Sequence, residues 1–177
     1  MKFFDKIVWW IETANEWIGR AMGWLMFGLV LLVTGDVISH YAFSTGAVWL
    51  QETEWVIFSI IFLMGAGYTF LYDGHVRVDI IYSRLSDKRK AYVDLACAFT
   101  FLLPMCVLII ITSYKFIAAS WEVREFSPDP GGLPAYYLLK GFIPLGFTML
   151  ALQGLAGVYK ISKRINEQRE AEAKERQ

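Results

Sequence analysis

Any chemistry in this sequence would have to rest on a short roster of side chains. His40 and His75 are its two imidazoles, the kind of pair a membrane cytochrome uses to hold haem. Cys97 and Cys106 are its two thiols, too few for a disulfide framework. Asp36, Glu52 and Glu54 form an acidic group, and Lys115 and Lys140 are the cations available to answer it. The block His75-Val-Arg-Val-Asp79 places an imidazole, a guanidinium and a carboxylate close together. No nucleophile elbow, phosphate-binding loop, dinucleotide fingerprint or zinc motif is present. With 17 basic and 17 acidic residues the chain has no net charge, and so no global basic surface for nucleic acid.

The elements that carry these groups decide what they can do. Four stretches lack any charged residue or histidine: 21–35, 55–72, 95–114 and 141–159. A bilayer core takes about 20 mostly apolar residues per helix. The last three stretches meet that length, and the first meets it if the helix extends past Asp36 to about Ile38. A soluble bundle would show a polar stripe on each surface helix, yet residues 102–111 (LLPMCVLIII) are apolar all round. The expectation is an all-α membrane protein with four transmembrane helices over about 18–39, 52–72, 91–118 and 135–159. The first reads as a retained helix, not a signal peptide, because Trp9, Trp10 and Trp17 precede it and no well-placed cleavage site follows.

Charge placement sets an expected orientation. With both termini on one side, that side collects 14 of the 17 basic residues, leaving Lys115, Arg124 and Lys140 opposite. The positive-inside rule then puts both termini in the cytoplasm, with Trp49, Trp55 and Trp121 at the outer interface. Two short amphipathic helices are expected on the cytoplasmic surface. One covers 3–18, with a cytoplasmic extension of the first span as the other reading. The second covers 76–86, after Gly74 ends helix 2. In the outer loop 127–134, three prolines and two glycines favour a stiff turn, and Pro134 suits the first turn of helix 4. The charged stretch 160–177 reads as a cytoplasmic tail, either a helix extension or disordered.

This layout limits the chemistry. His40 falls at the outer end of helix 1 and His75 at the inner end of helix 2, separated by about 30 Å of hydrocarbon, so one haem cannot bridge them. Cys97 and Cys106 fall on opposite faces of one helix and read as buried thiols. The middles of the four helices hold no ionisable residue, which disfavours a stand-alone transporter or channel. The polar groups there, Thr34, Ser59, Thr69, Thr100, Ser113, Thr148 and Gln153, can each be satisfied on their own helix or a neighbour. Asp36, Glu52 and Glu54 either pair within the bundle or face a partner protein. Gly19-x-x-x-Gly23 and Gly65-Ala-Gly67 offer points of close helix approach. Arg77 and Arg84 are placed to hold lipid phosphates at the inner leaflet.

The segments Gln51-Glu-Thr-Glu-Trp55, Gly65-Ala-Gly67 and His75-Val-Arg-Val-Asp79 together resemble the small permease subunit of tripartite ATP-independent periplasmic (TRAP) transporters, the DctQ family. Ser127-Pro-Asp-Pro-Gly-Gly-Leu-Pro134 and Lys140-Gly-Phe-Ile-Pro-Leu-Gly146 match one branch of it. The resemblance covers residues 15–160. It implies two partners, a large many-span permease subunit (DctM-like) and a periplasmic substrate-binding protein (DctP-like) that delivers an organic acid. It further implies a sodium gradient as the driving force, ion and substrate sites on the large subunit, a bracing role for this chain, and no cofactor or enzymatic activity. Under it, Glu54 is the outer-end carboxylate of helix 2, and His75, Arg77 and Asp79 order the turn after that helix. The rival expectations are an independent small transporter or channel, and a membrane anchor for a redox enzyme.

Overall fold

A computed structural model describes residues 3–44, 46–72, 74, 82 and 84–175. The apolar runs become helices long and apolar enough to cross a bilayer, and the described residues hold no strand. Helix α1 is Phe3–Phe43 and α2 is Val48–Leu71. The third span is α3 (Asp87–Cys97), one π-helical turn (Ala98–Leu102) and α4 (Leu103–Glu122). The fourth is α5, Tyr136–Glu175.

Pro104 explains the π turn. Proline has no N–H and its ring crowds the carbonyl four residues back, which a regular helix tolerates poorly. The wide turn comes just before, so the proline falls in the first turn of α4, where a missing donor costs least. The span continues without a break in the apolar run.

Two expectations about boundaries change. The surface helix over 3–18 is not a separate element, because α1 runs unbroken for 41 residues. No proline interrupts it, and its first four turns find a partner in the far end of α5. Lys163 donates to Asp5 at 2.9 Å, the Tyr159 hydroxyl to Asp5 at 3.0 Å and Lys160 to Glu12, while Phe4 stacks on Tyr159. At 1.5 Å per residue α1 and α5 are each about 60 Å long, twice the hydrocarbon thickness, so they extend together past the shorter α2. Pro134 is likewise outside the first turn of α5, which begins at Tyr136 after Ala135 takes a left-handed φ of 64°. The tail stays helical to Glu175. Of the surface helix expected over 76–86, residues 76–81 and 83 lie outside the described residues, and 84–86 form a turn before α3.

The helices pack as a row in the order α1, α2, α5, α4. α1 lies on α2, α2 on α5 and α5 on α4, with a smaller α1–α5 contact and no sizeable interface from α4 to α1 or α2. Close approach falls at glycines: a side chain on Gly146 would come within 2.6 Å of the Leu63 carbonyl oxygen, so only glycine lets α5 sit this near α2. Gly19 and Gly67 do the same for α1 on α2, against Tyr68 and Asn15, whereas Gly23 and Gly65 face open space. The row has little interior. Its accessible surface is 12462 Å², against about 8,800 Å² for a compact 20.3 kDa protein. A closed bundle would not show this excess; lipid or another protein must cover these helices.

Candidate functional site

The helix centres confirm their expected chemistry. Thr34, Ser59, Thr69, Thr100, Ser113 and Thr148 each donate to the carbonyl four residues back, at 2.6–3.1 Å. Gln153 instead finds a neighbour: its Oε1 accepts from Asn15 Nδ2 at 3.0 Å, which also donates to the Ile11 carbonyl at 3.1 Å. Asn15 is fully buried and Gln153 is 2% exposed. The Asn15 Oδ1 has no donor and rests against Gly67. Sequence reasoning passed over Asn15, although an asparagine four residues after Ile11, on the apolar stripe of α1, signals a buried partner.

The charged groups gather where the α1–α2 connection meets the α4–α5 loop. The acid–lysine pairing expected there takes a different form. Glu52 is buried, yet no cation among the described residues answers it. Its Oε1 accepts from the Ser127 hydroxyl and its Oε2 from the Leu133 N–H, with the Tyr136 hydroxyl a third donor. The second turn of α2 thereby holds both ends of the proline–glycine turn. Asp129 N–H caps Ser127 Oγ at 3.1 Å, and Ser127 N–H bonds the Leu133 carbonyl at 3.1 Å. Gly131, at φ 83°, supplies the left-handed residue. A side chain on Gly132 would strike Ser127 and Glu52. The stiff turn is thus stiff for two reasons, its own composition and a carboxylate from another helix.

Lys140 pairs with Glu125, which the sequence reading did not single out, and its ammonium also lies 4.0 Å from the Phe116 ring centre. The Ser120 hydroxyl donates to the same Glu125 oxygen at 2.5 Å. The hydrogen bonds from Lys140 and then Ser120 hold the Glu125 carboxyl below its ordinary range, outweighing desolvation. Trp55 meets Tyr136 edge-on at 5.8 Å and Trp121 meets Tyr137 at 4.7 Å, closing the loop onto both neighbouring helices.

Asp36 and Glu54 remain. They face each other across the α1–α2 contact, within electrostatic reach, and Glu54 Oε1 is buried with no hydrogen-bond donor. No described cation pairs with either. Lys115 is exposed on α4 and does not serve them. His40 is exposed beside the α1–α2 connection. Cys106 is fully buried, but Cys97 is exposed, against the expectation of two buried thiols: this span is at the end of the row and packs chiefly on α5, so only part of its circumference is sheltered. Arg84 is exposed in the turn before α3, where Tyr82 donates to Asp94 at 2.7 Å. His75, Arg77 and Asp79 lie outside the described residues, so their juxtaposition is not established.

A row of membrane-crossing helices with self-satisfied centres, a pinned loop and an unpaired acidic pair defines a component of a larger membrane assembly. Residues 29–164 match the profile of the family described as tripartite ATP-independent periplasmic transporters, DctQ component. The chain belongs to that family: it is a multi-pass membrane protein, the small subunit of a TRAP transporter, and not an enzyme. No curated protein sequence matches it. The match begins inside α1, so the α1 extension and Asn15 lie outside it.

Proposed function

We propose that this subunit scaffolds the large, DctM-like permease subunit of a sodium-driven TRAP transporter for organic-acid uptake across the bacterial inner membrane, with a DctP-like periplasmic protein delivering the substrate. The observation that carries this reading is the row itself: an open slab with an excess of apolar surface and no ionisable group among the described helix centres. Such a slab has no path for an ion or an acid, but it offers a broad apolar face for a multi-span neighbour. Both termini lie in the cytoplasm, in keeping with the basic residues at the end that carries them. Alkaline phosphatase fused after Asp129 is then active and fused after Tyr82 inactive.

Asp36 and Glu54 are the contact we assign to the large subunit. Two carboxylates near the headgroup zone with no counter-charge cost energy in the isolated chain and become favourable beside a basic side chain of a neighbour. His75, Arg77 and Asp79 order the turn after α2, and Arg77 and Arg84 hold inner-leaflet lipid phosphates. The deciding experiment is reconstitution. Proteoliposomes holding both membrane subunits and supplied with the binding protein should take up an organic acid with sodium, and this chain alone should not. Uptake by the chain alone refutes the scaffold role. For the contact, Asp36→Asn with Glu54→Gln should reduce co-purification of the large subunit while raising the thermal midpoint of the isolated chain. Unchanged recovery rules the contact out.

A further inference from the structure

On the far side of the row, α4 and α5 leave a groove of about 740 Å³, lined by Ile110, Ile117, Ala118, Trp121 and Pro144 and bordered by Lys115 and Glu122. Its origin is local. Ala118 is the small residue between the larger Ile117 and Trp121, and Pro144 turns a compact ring toward it from α5. From Ile110 to Glu122 it runs about 18 Å along α4, from the apolar depth of the span to its end at the loop.

The order of its polar groups matters. Moving outward along one face of α4 come isoleucines, then the Lys115 ammonium, then the Trp121 indole, then the Glu122 carboxylate. Lys115 and Glu122 are seven residues apart, two turns on the same face and about 10 Å along the axis, a gap that a flexible lysine stem and a glutamate side chain can close onto one molecule between them. Neither has an ion pair within the described residues. A phosphoethanolamine lipid presents the complementary sequence: acyl chain, then phosphate, then a distal ammonium. A phosphoglycerol lipid offers Glu122 only neutral hydroxyls and no cation, and a choline headgroup offers a cation that cannot donate a hydrogen bond to it. Trp121 sits at headgroup level, where an indole is favoured.

We propose that the α4–α5 groove binds one ethanolamine phospholipid, its chain along Ile110 and Ile117, its phosphate on Lys115 and its ammonium on Glu122. The site is separate from the acidic pair on the other side of the row and does not depend on which side of the membrane the loop faces.

The test uses the full chain in mild detergent, with phosphatidylethanolamine, phosphatidylglycerol or phosphatidylcholine added in turn. Two quantities are read: lipid retained in native mass spectrometry and the thermal midpoint. Wild type should retain the ethanolamine lipid best and gain most from it. Lys115→Gln and Glu122→Gln should each lower that retention about fivefold or more, as loss of a charge-assisted hydrogen bond requires. Ala118→Trp should fill the groove and abolish the preference while helicity by circular dichroism stays unchanged. Equal retention of the three lipids by wild type overturns the proposal. So does a preference for the glycerol lipid that Glu122→Gln leaves untouched. If wild type shows no lipid preference and Ala118→Trp instead costs co-purification of the large subunit, the groove holds a protein helix and the proposal also fails.

Discussion

Gly67→Ala tests whether α1, α2 and α5 are locked together at one point. A methyl on Gly67 lands on Asn15 Oδ1 and within 3.0 Å of Asn15 Cγ, with the Met149 carbonyl oxygen 3.5 Å away. The asparagine cannot swing aside without breaking its 3.0 Å bond to Gln153. Overpacking of this kind costs about 1–3 kcal/mol. Alanine returns up to ~1 kcal/mol through helix propensity. The net expectation is a loss of about 1–2 kcal/mol. Asn15→Ala removes the obstruction but strands the Gln153 oxygen, which is 2% exposed, at a cost of about 1–2 kcal/mol, near the upper part of the range for bonds between membrane helices. In the double variant the new methyl has room and the propensity gain remains, so the protein should be no less stable than Asn15→Ala alone. The four proteins should therefore show a coupling of about 1–2 kcal/mol, well beyond the ~0.5 kcal/mol expected of independent sites. Thermal unfolding in detergent, at about 2–4 °C per kcal/mol for a chain of this size, resolves it. Additive losses would refute the lock, because they would mean that the two residues do not meet.

The Glu52 clamp predicts that Glu52→Ala or Gly132→Ala speeds hydrogen exchange at the Leu133 amide while leaving amides at the centre of α2 unchanged; continued protection at Leu133 would show that the loop holds itself. Glu125 gives a pH effect with a defined sign. Its carboxyl is held below the ordinary glutamate range, so the Lys140 contact stabilises the loop fully above that range and is lost as pH falls through the lowered value. Trp121 fluorescence should report loop release at that acidic step, and Glu125→Gln should remove the step.

What the sequence made legible follows from the length scale of each signal. Four spans were readable because hydrocarbon thickness imposes a length that any apolar run meets or misses on its own. The self-bonding of Thr34, Ser59 and their like was readable because it needs only the carbonyl four residues back. The partners of Glu52 were not, since Ser127 and Leu133 lie some eighty positions away and enter only when the α4–α5 loop folds over α2. The 3–18 segment was left between a surface helix and an extension of the first span for a related reason. Its apolar stripe fits a membrane surface or a neighbouring helix equally well, and only the α5 extension, bearing Tyr159, Lys160 and Lys163, decides for the helix. Cys97 was placed as buried because free cysteine usually is, but at the end of a one-layer row only part of a helix is covered by a neighbour.

The distribution of satisfied and unsatisfied charge gives the row a direction. Asp5, Glu12 and Glu16 at the terminal end, and Glu52 and Glu125 at the loop end, each have a donor within the chain. All but the Glu16–Arg20 pair, which lies within α1, join neighbouring helices or fix a loop, so they hold the subunit in shape. Among the groups with no ion pair within the described residues, Asp36 and Glu54 fall where α1 meets α2, and Lys115 and Glu122 along the α4–α5 groove, on opposite sides of that shape. The two sides ask for different chemistry. Two carboxylates within electrostatic reach of each other are favoured by a cation from outside, and a basic side chain on a packed helix supplies it without leaving a polar group exposed to hydrocarbon. A cation and an anion spaced along a groove need a ligand with charges in the reverse order, and the membrane itself provides one. On the scaffold and lipid readings proposed above, a subunit with one side suited to protein and the other to lipid would sit at the periphery of its assembly, where a brace for a larger partner belongs.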